Sequence, residues 1–175
     1  MKFIFFFSLF FLIFSQGYCA TDGSLGTSST GTSTITLTKL DLVRIMGIAN
    51  ASFSNEVSIT APTGILDGAC VYSTTGSYNI RFTSTNASGT TFRMRSAASN
   101  YIHYDVQWNN ADSGTTGYTM GSGVTSSTYS GAHTSSTTCA GANNSRMFIY
   151  VDATTFNNAP IGSYSDTLTV LVNPV

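Results

Sequence analysis

The sequence is short of charge, of proline and of histidine. Only 9% of its 175 residues are charged, with seven Lys and Arg against eight Asp and Glu, so there is no basic face for nucleic acid or for an anionic membrane surface. Glu56 is the only glutamate, and lysine occurs only at Lys2 and Lys39. Asp22, Asp41, Asp67, Asp112, Asp152 and Asp166 mostly stand beside Gly, Ser or Thr, where aspartate commonly serves turns and strand ends. Paired-carboxylate glycosidase chemistry needs two acids flanking a cleft, and nothing here groups them. Gly-x-Ser-x-Gly is absent, calcium-loop spacing is absent, and the glycine-rich stretches do not lead into a helix start, which removes the nucleophile elbow and the phosphate cradle. His103 lies two residues from Asp105, the one pairing that invites a triad, yet no nucleophile is fixed to it; His133 sits among small polar residues and reads as a loop histidine. Two cysteines and two histidines at unrelated spacings do not make a zinc site. The reading is therefore of a non-enzyme with no catalytic residue, no cofactor and no metal.

Long apolar runs are missing too, with one exception. After Met1-Lys2, the stretch Phe3 to Phe14 is apolar apart from Ser8, and Ser15 to Ala20 supplies small residues. It is shorter than the ~20 residues of a membrane-spanning helix, so residues 1–19 read as a secretory signal peptide with cleavage after Cys19 or Ala20. Lipidation of Cys19 competes, but Tyr18 is bulky where lipoprotein signals carry a small residue. The mature chain then holds six basic against eight acidic side chains, a net charge of −2, and no integral membrane segment. Cys70 and Cys139 are its only thiols, and export brings them to an oxidising compartment, so one disulfide is expected. Closing a loop of that size stabilises a fold by roughly 4 kcal/mol in the chain-entropy model.

What is present is Ser, Thr, Gly, Asn and tyrosine in β-prone patterns. Ala20 to Thr34 has almost nothing apolar and cannot offset its ordering entropy by burial, which predicts a flexible arm. Thr34-Ile35-Thr36-Leu37-Thr38 then alternates at period two. A phase shift at Lys39-Leu40 precedes Leu40, Leu42, Val43, Ile45, Met46 and Ile48, and a bulge or a break accounts for it. Short strands are predicted at Val57 to Thr60, Ala69 to Tyr72, Tyr78 to Thr83, Thr90 to Met94, Tyr101 to Trp108 and Met147 to Val151, separated by turn residues. Asn109 to Asn144 carries few large side chains and predicts weakly packed strands and long loops. No helical periodicity, internal repeat or interdomain linker is visible. Gly162 to Val172 closes the chain as an alternating strand in need of a partner. The sum is an all-β sandwich, with Tyr72, Tyr78, Tyr104 and Trp108 assigned to its core in preference to a sugar-stacking platform.

Several fragments together carry a resemblance. They are Thr36-Leu37-Thr38-Lys39, Cys70-Val71-Tyr72-Ser73 followed by Gly76-Ser77-Tyr78, Tyr104-Asp105-Val106-Gln107-Trp108, and Gly162-Ser163-Tyr164-Ser165-Asp166-Thr167-Leu168-Thr169-Val170. The chain resembles the spore coat protein U domain family, which includes pilin subunits of archaic chaperone-usher pili. The likeness spans nearly all of the mature chain, and Gly-x-Tyr-x-Asp-Thr-Leu is its most specific piece. It implies an immunoglobulin-like β-sandwich that lacks one strand, with the groove filled first by a periplasmic chaperone and then by the N-terminal arm of the next subunit. Carried over, residues 20–48 form the arm, with a donor segment within Thr34 to Ile45 whose apolar residues are Ile35, Leu37, Leu40 and Leu42. Residues 49–175 form the domain, and Leu168, Val170 and Val172 lie on the last strand beside the groove. Asp166 is expected to serve strand entry or a turn.

The implied function is a structural subunit of a bacterial surface pilus or fimbria-like fibre. It would pass through the periplasm to the cell surface, with neighbouring pilin subunits, a chaperone and an outer-membrane usher as partners. Two features depart from the pattern: no cysteine lies between Ala20 and Ala69, and the alternation breaks at Lys39-Leu40. They leave open a rod subunit, a minor or tip subunit, or a secreted adhesin or carbohydrate-binding module that completes its own sandwich. In that last case the loops between Asn109 and Asn144, with Trp108 or Tyr129, would meet the ligand.

Overall fold

A computed structural model describes residues 21–53, 58–59 and 63–175. The expected signal peptide and most of the strand expected at Val57 to Thr60 lie outside the described residues; Ser58 and Ile59, which are described, are not in a strand. The chain divides into two compact units, Met1–Lys39 and Leu40–Val175. The division falls at the phase shift, so the alternation of Ile35 and Leu37 belongs to one unit and that of Leu40 and Leu42 to the other.

In the first unit Thr21 and Thr32 form an antiparallel bridge, each amide donating to the other carbonyl at 3.0 Å. Residues 33–39 carry no regular secondary structure. Ile35 and Leu37 are both more than nine-tenths exposed.

The described residues of the second unit form ten strands: β1 (Val43–Met46), β2 (Thr63–Ser73), β3 (Ser77–Ser84), β4 (Phe92–Ser96), β5 (Tyr101–Asn109), β6 (Tyr118–Met120), β7 (Tyr129–Ser130), β8 (Ser145–Val151), β9 (Tyr164–Ser165) and β10 (Leu168–Pro174). One sheet runs β1-β2-β8-β5-β4-β9, with β6 also paired to β5, and the other runs β10-β3-β7. All strand pairings are antiparallel. An all-β two-sheet sandwich follows directly from the alternation. In β3, Tyr78, Ile80 and Phe82 are buried while Asn79, Arg81 and Thr83 are not. In β5, Ile102, Tyr104, Val106 and Trp108 are buried against an outer row of Tyr101, His103 and Asp105.

The main core lies between the sheets around Trp108, which is fully buried. Its Nε1 donates to Tyr78 Oη at 3.1 Å, and that hydroxyl also meets Ser145 Oγ at 3.2 Å, so the polar tips of two large aromatics are satisfied inside. Burial pushes the Tyr78 phenol above its ordinary pKa. Tyr72 departs from expectation. It is only half-buried, because it alternates with the inward residues Val71 and Ser73 of β2 and therefore takes the other face.

A smaller cluster of Ile59, Ile102 and Val151 is covered by Phe53, Phe156 and Tyr164. It holds an element absent from the sequence reading, the helix α1 (Ala153–Asn158). Six residues are too few to display a 3.6-residue period, but the cap is plain: Asp152 Oδ1 accepts the Thr155 amide at 2.7 Å. That amide holds the Asp152 carboxyl below its ordinary pKa.

Cys70 and Cys139 are joined, with S–S 2.07 Å and Cα–Cα 5.9 Å, which ties β2 to the loop before β8. Asn144 reinforces the same place. Its Oδ1 accepts from Val71 N and its Nδ2 donates to Val71 O, both at 2.8 Å, so a carboxamide takes the part of a strand where β8 has not yet begun. The loop between β5 and β6 is pinned over the outer face of the sheet. Arg146 Nε pairs with Asp112 at 2.8 Å and Tyr150 Oη donates to Thr115 O at 2.9 Å.

Candidate functional site: an open strand edge and its cavity

Both sheets end where they face one another. β1 closes one sheet and β10 the other, and the two are neighbours across the sandwich without hydrogen-bonding to each other. Among the described residues β10 pairs only with β3, so its second edge presents unpaired backbone groups. The bonds Thr85 N to Thr167 O and Val175 N to Ser77 O bracket the pairing. Odd-numbered residues of β10 therefore bond β3, and the amides of Leu168, Val170 and Val172 face away from it. Their side chains point inward and are only half-buried, packed on the main core together with Val43 and Ile45 of β1. Two half-covered apolar rows thus lie beside an edge to which one more strand could bond.

At the Leu168 end the opening deepens into a cavity of ≈ 430 Å³. Ile48, Phe53, Met94, Ile149, Tyr164 and Leu168 give it apolar walls, and Tyr104 and Asp166 give it polar ones. The segment after β1 turns over it through Gly47, whose φ of +85° suits glycine and whose Cβ, were there one, would lie 2.9 Å from Gly68 O. Ala49 N then donates to Asp67 Oδ2 at 2.6 Å.

Asp166 stands at the entry to β10 and continues its inward phase. Its Oδ2 accepts from Tyr104 Oη and Ser84 Oγ, both at 2.5 Å, and its Oδ1 accepts from Asn86 N at 3.1 Å and Asn86 Nδ2 at 3.0 Å. One carboxylate therefore joins β3, β5 and the start of β10. Burial pushes the Tyr104 phenol far above its ordinary pKa, and the adjacent Asp166 raises it further. Arg146–Asp112 is the one ion pair among the described residues, and the partners of Asp166 are all neutral donors. The motif marks Asp166 as a strand-entry or turn residue, but no local signal points to its partners Ser84, Asn86 and Tyr104, which lie 62 to 82 positions away.

Leu168, Val170 and Val172 line the inner face of β10. Leu42 lies just ahead of β1, its amide donating to Thr74 Oγ1 and its carbonyl accepting from Thr74 N, both at 2.9 Å. Leu40 and Leu42 are exposed. His103 and Asp105 stand on the exposed face of β5, and no cluster of three or more His, Cys, Asp or Glu occurs among the described residues. A stacking platform on Trp108 or Tyr129 is overturned: both rings are buried, with Tyr129 packed on Tyr78 at 5.8 Å between centroids. No described helix is long and apolar enough to cross a membrane.

No family model and no curated protein matches the sequence. Solved structures do match. A chain from the chaperone–tip adhesin complex of CFA/I fimbriae biogenesis aligns with a TM-score of 0.53 at 15% identity, over 76% of this chain and 42% of that one. A chain from the CsuC–CsuE chaperone–tip adhesion subunit pre-assembly complex of archaic Csu pili of Acinetobacter baumannii aligns with a TM-score of 0.38 at 19% identity, over 76% of this chain and 39% of that one. The chain thus spans less than half the length of each of these two solved chains. The CFA/I likeness is one of fold.

Proposed function

We propose that the chain is a structural subunit of a bacterial surface fibre of the chaperone-usher kind, polymerised by donation of an N-terminal strand from one subunit to the open edge of another. The observation that carries this reading is the unpaired edge of β10, with Leu168, Val170 and Val172 left half-covered opposite Val43 and Ile45. An incoming strand gains backbone bonds along that edge and buries alternate side chains between the two rows. The chain carries a segment patterned for this in the Thr34 to Thr38 alternation, with Ile35 and Leu37 exposed. A periplasmic chaperone occupying the same edge before assembly, and an outer-membrane usher receiving the subunit, complete the reading.

The test is a deletion. It ends at Lys39, because Val43 and Ile45 belong to β1 and their loss would strip an edge from the first sheet. Chain lacking residues 21–39 should keep its secondary structure by circular dichroism and lose self-association by analytical ultracentrifugation. Fibres formed as readily by the truncated chain as by the whole one would sink the proposal.

A further inference from the structure

From the geometry we infer the register in which one copy's arm docks on another: antiparallel to β10, with Lys39 of the incoming chain set against Asp166 of the receiving one. The inference rests on the donor-strand reading above and goes beyond it in naming the residue pairs and a charge contact that selects among them.

Three observations carry it. First, the inward phase of β10 begins before the strand itself: Tyr164, Asp166, Leu168, Val170, Val172 and Pro174 are all partly buried, while the residues between them are exposed. Second, the arm has one apolar phase, Ile35 and Leu37, and the next residue in that phase is Lys39, the only lysine after Lys2. Third, Asp166 borders the cavity at the open edge with no cation partner among the described residues.

Directly opposed residues of an antiparallel pair project to the same face. Setting Lys39 opposite Asp166 therefore sets Leu37 opposite Leu168, Ile35 opposite Val170 and Ser33 opposite Val172. Each apolar arm residue meets an apolar residue of β10, and the charged one meets the single charge on that face. A slip of two residues in one direction brings Lys39 against Leu168, a desolvated charge on an apolar wall. The opposite slip puts Leu37 against the carboxylate and removes Lys39 from it. A parallel strand sends Lys39 toward Val172 and away from Asp166. The Asp166 oxygens already accept four hydrogen bonds, close to their capacity. Lys39 therefore acts on the carboxylate as a neighbouring positive charge on a flexible stem, in the way suited to lysine.

The test uses the full mature chain. Lys39→Glu places two carboxylates together and should slow self-association about tenfold or more, whereas Lys39→Arg should keep the parent rate. Lys39 is exposed, so neither change threatens the domain. Register is read by mixing two differently tagged populations, one carrying Leu37→Cys and the other Asp166→Cys, Leu168→Cys or Val170→Cys. Opposed Cα atoms of an antiparallel pair lie about 4.5–5.5 Å apart, within disulfide reach. The Leu168→Cys partner should cross-link in preference to the other two. Preferred cross-linking to position 166 or 170, or equal rates for Lys39→Glu and the parent while Ile35→Asp abolishes association, would overturn the register and leave strand donation standing. If Ile35→Asp and Lys39→Glu both associate like the parent, strand donation itself fails.

Discussion

The phenol of Tyr104, in the middle of one sheet, donates to the carboxylate of Asp166 at the entry to the last strand of the other, at 2.5 Å. This bond crosses the sandwich at the edge of its cavity. The motif Gly-x-Tyr-x-Asp-Thr-Leu thereby gains a physical meaning. Tyr164 packs in the small cluster and bonds Pro160 O at 2.8 Å, Asp166 gathers donors from β3 and β5, and Leu168 starts the inward row of β10.

Tyr104→Phe should therefore destabilise the domain by about 2 kcal/mol, since it removes a hydrogen bond to a charged acceptor. Urea midpoints of the two proteins measure this. The phenol's raised pKa adds a sign: stability from the neutral phenol is complete below pH ~10 and declines as pH rises toward the folded-state value. Above pH ~10 the parent should lose stability faster than the phenylalanine variant, and a parallel decline would contradict the bond's role.

Asp152→Ala should cost about 1 kcal/mol at neutral pH through loss of the helix cap. The Asp152 pKa is lowered in the folded chain, so its stabilisation is present above the unfolded value near 4 and is lost as pH falls through the folded value. The gap between parent and variant should therefore close by pH ~2. A gap of unchanged size in acid would show that the side chain acts otherwise.

Reduction, or Cys70→Ser with Cys139→Ser, should lower stability by roughly 4 kcal/mol, because it releases a constraint across 69 residues. Trp108, the single tryptophan and fully buried, supplies the fluorescence signal for the midpoints. An unchanged midpoint in reductant, with free thiols verified, would contradict this.

Most of the sandwich was legible because alternation is a local property. Tyr78-Asn79-Ile80-Arg81-Phe82 and Tyr104-Asp105-Val106-Gln107-Trp108 each show their inner face without help from the rest of the chain. The pairing of Cys70 with Cys139 is legible because the expected signal peptide takes Cys19 and leaves no other thiol. Legibility failed where the signal was short or distant. Helix α1 is less than two turns long, and β7 has two residues and is fixed by its partner Tyr78 rather than by its own pattern. Aromatic character alone places Tyr72 in the core, but its phase beside Val71 sends it to the other face. The break at Lys39-Leu40 was visible, but only the structure shows it dividing two units, with Leu42 bonded to Thr74 ahead of β1. The hydrogen bonds of Asp166 to β3 and β5 required the fold.

Amide hydrogen exchange along β10, resolved residue by residue in the free chain and in self-associated material, tests the central claim most directly. In the free chain the amides of Leu168, Val170 and Val172 face the open edge and should exchange quickly, while those of Thr169, Leu171 and Asn173 are protected by β3. Association through that edge should protect the first three by about a hundredfold or more, consistent with burial of newly made strand bonds. Association that leaves those three amides exchanging as before would contradict the assignment of β10 as the receiving edge.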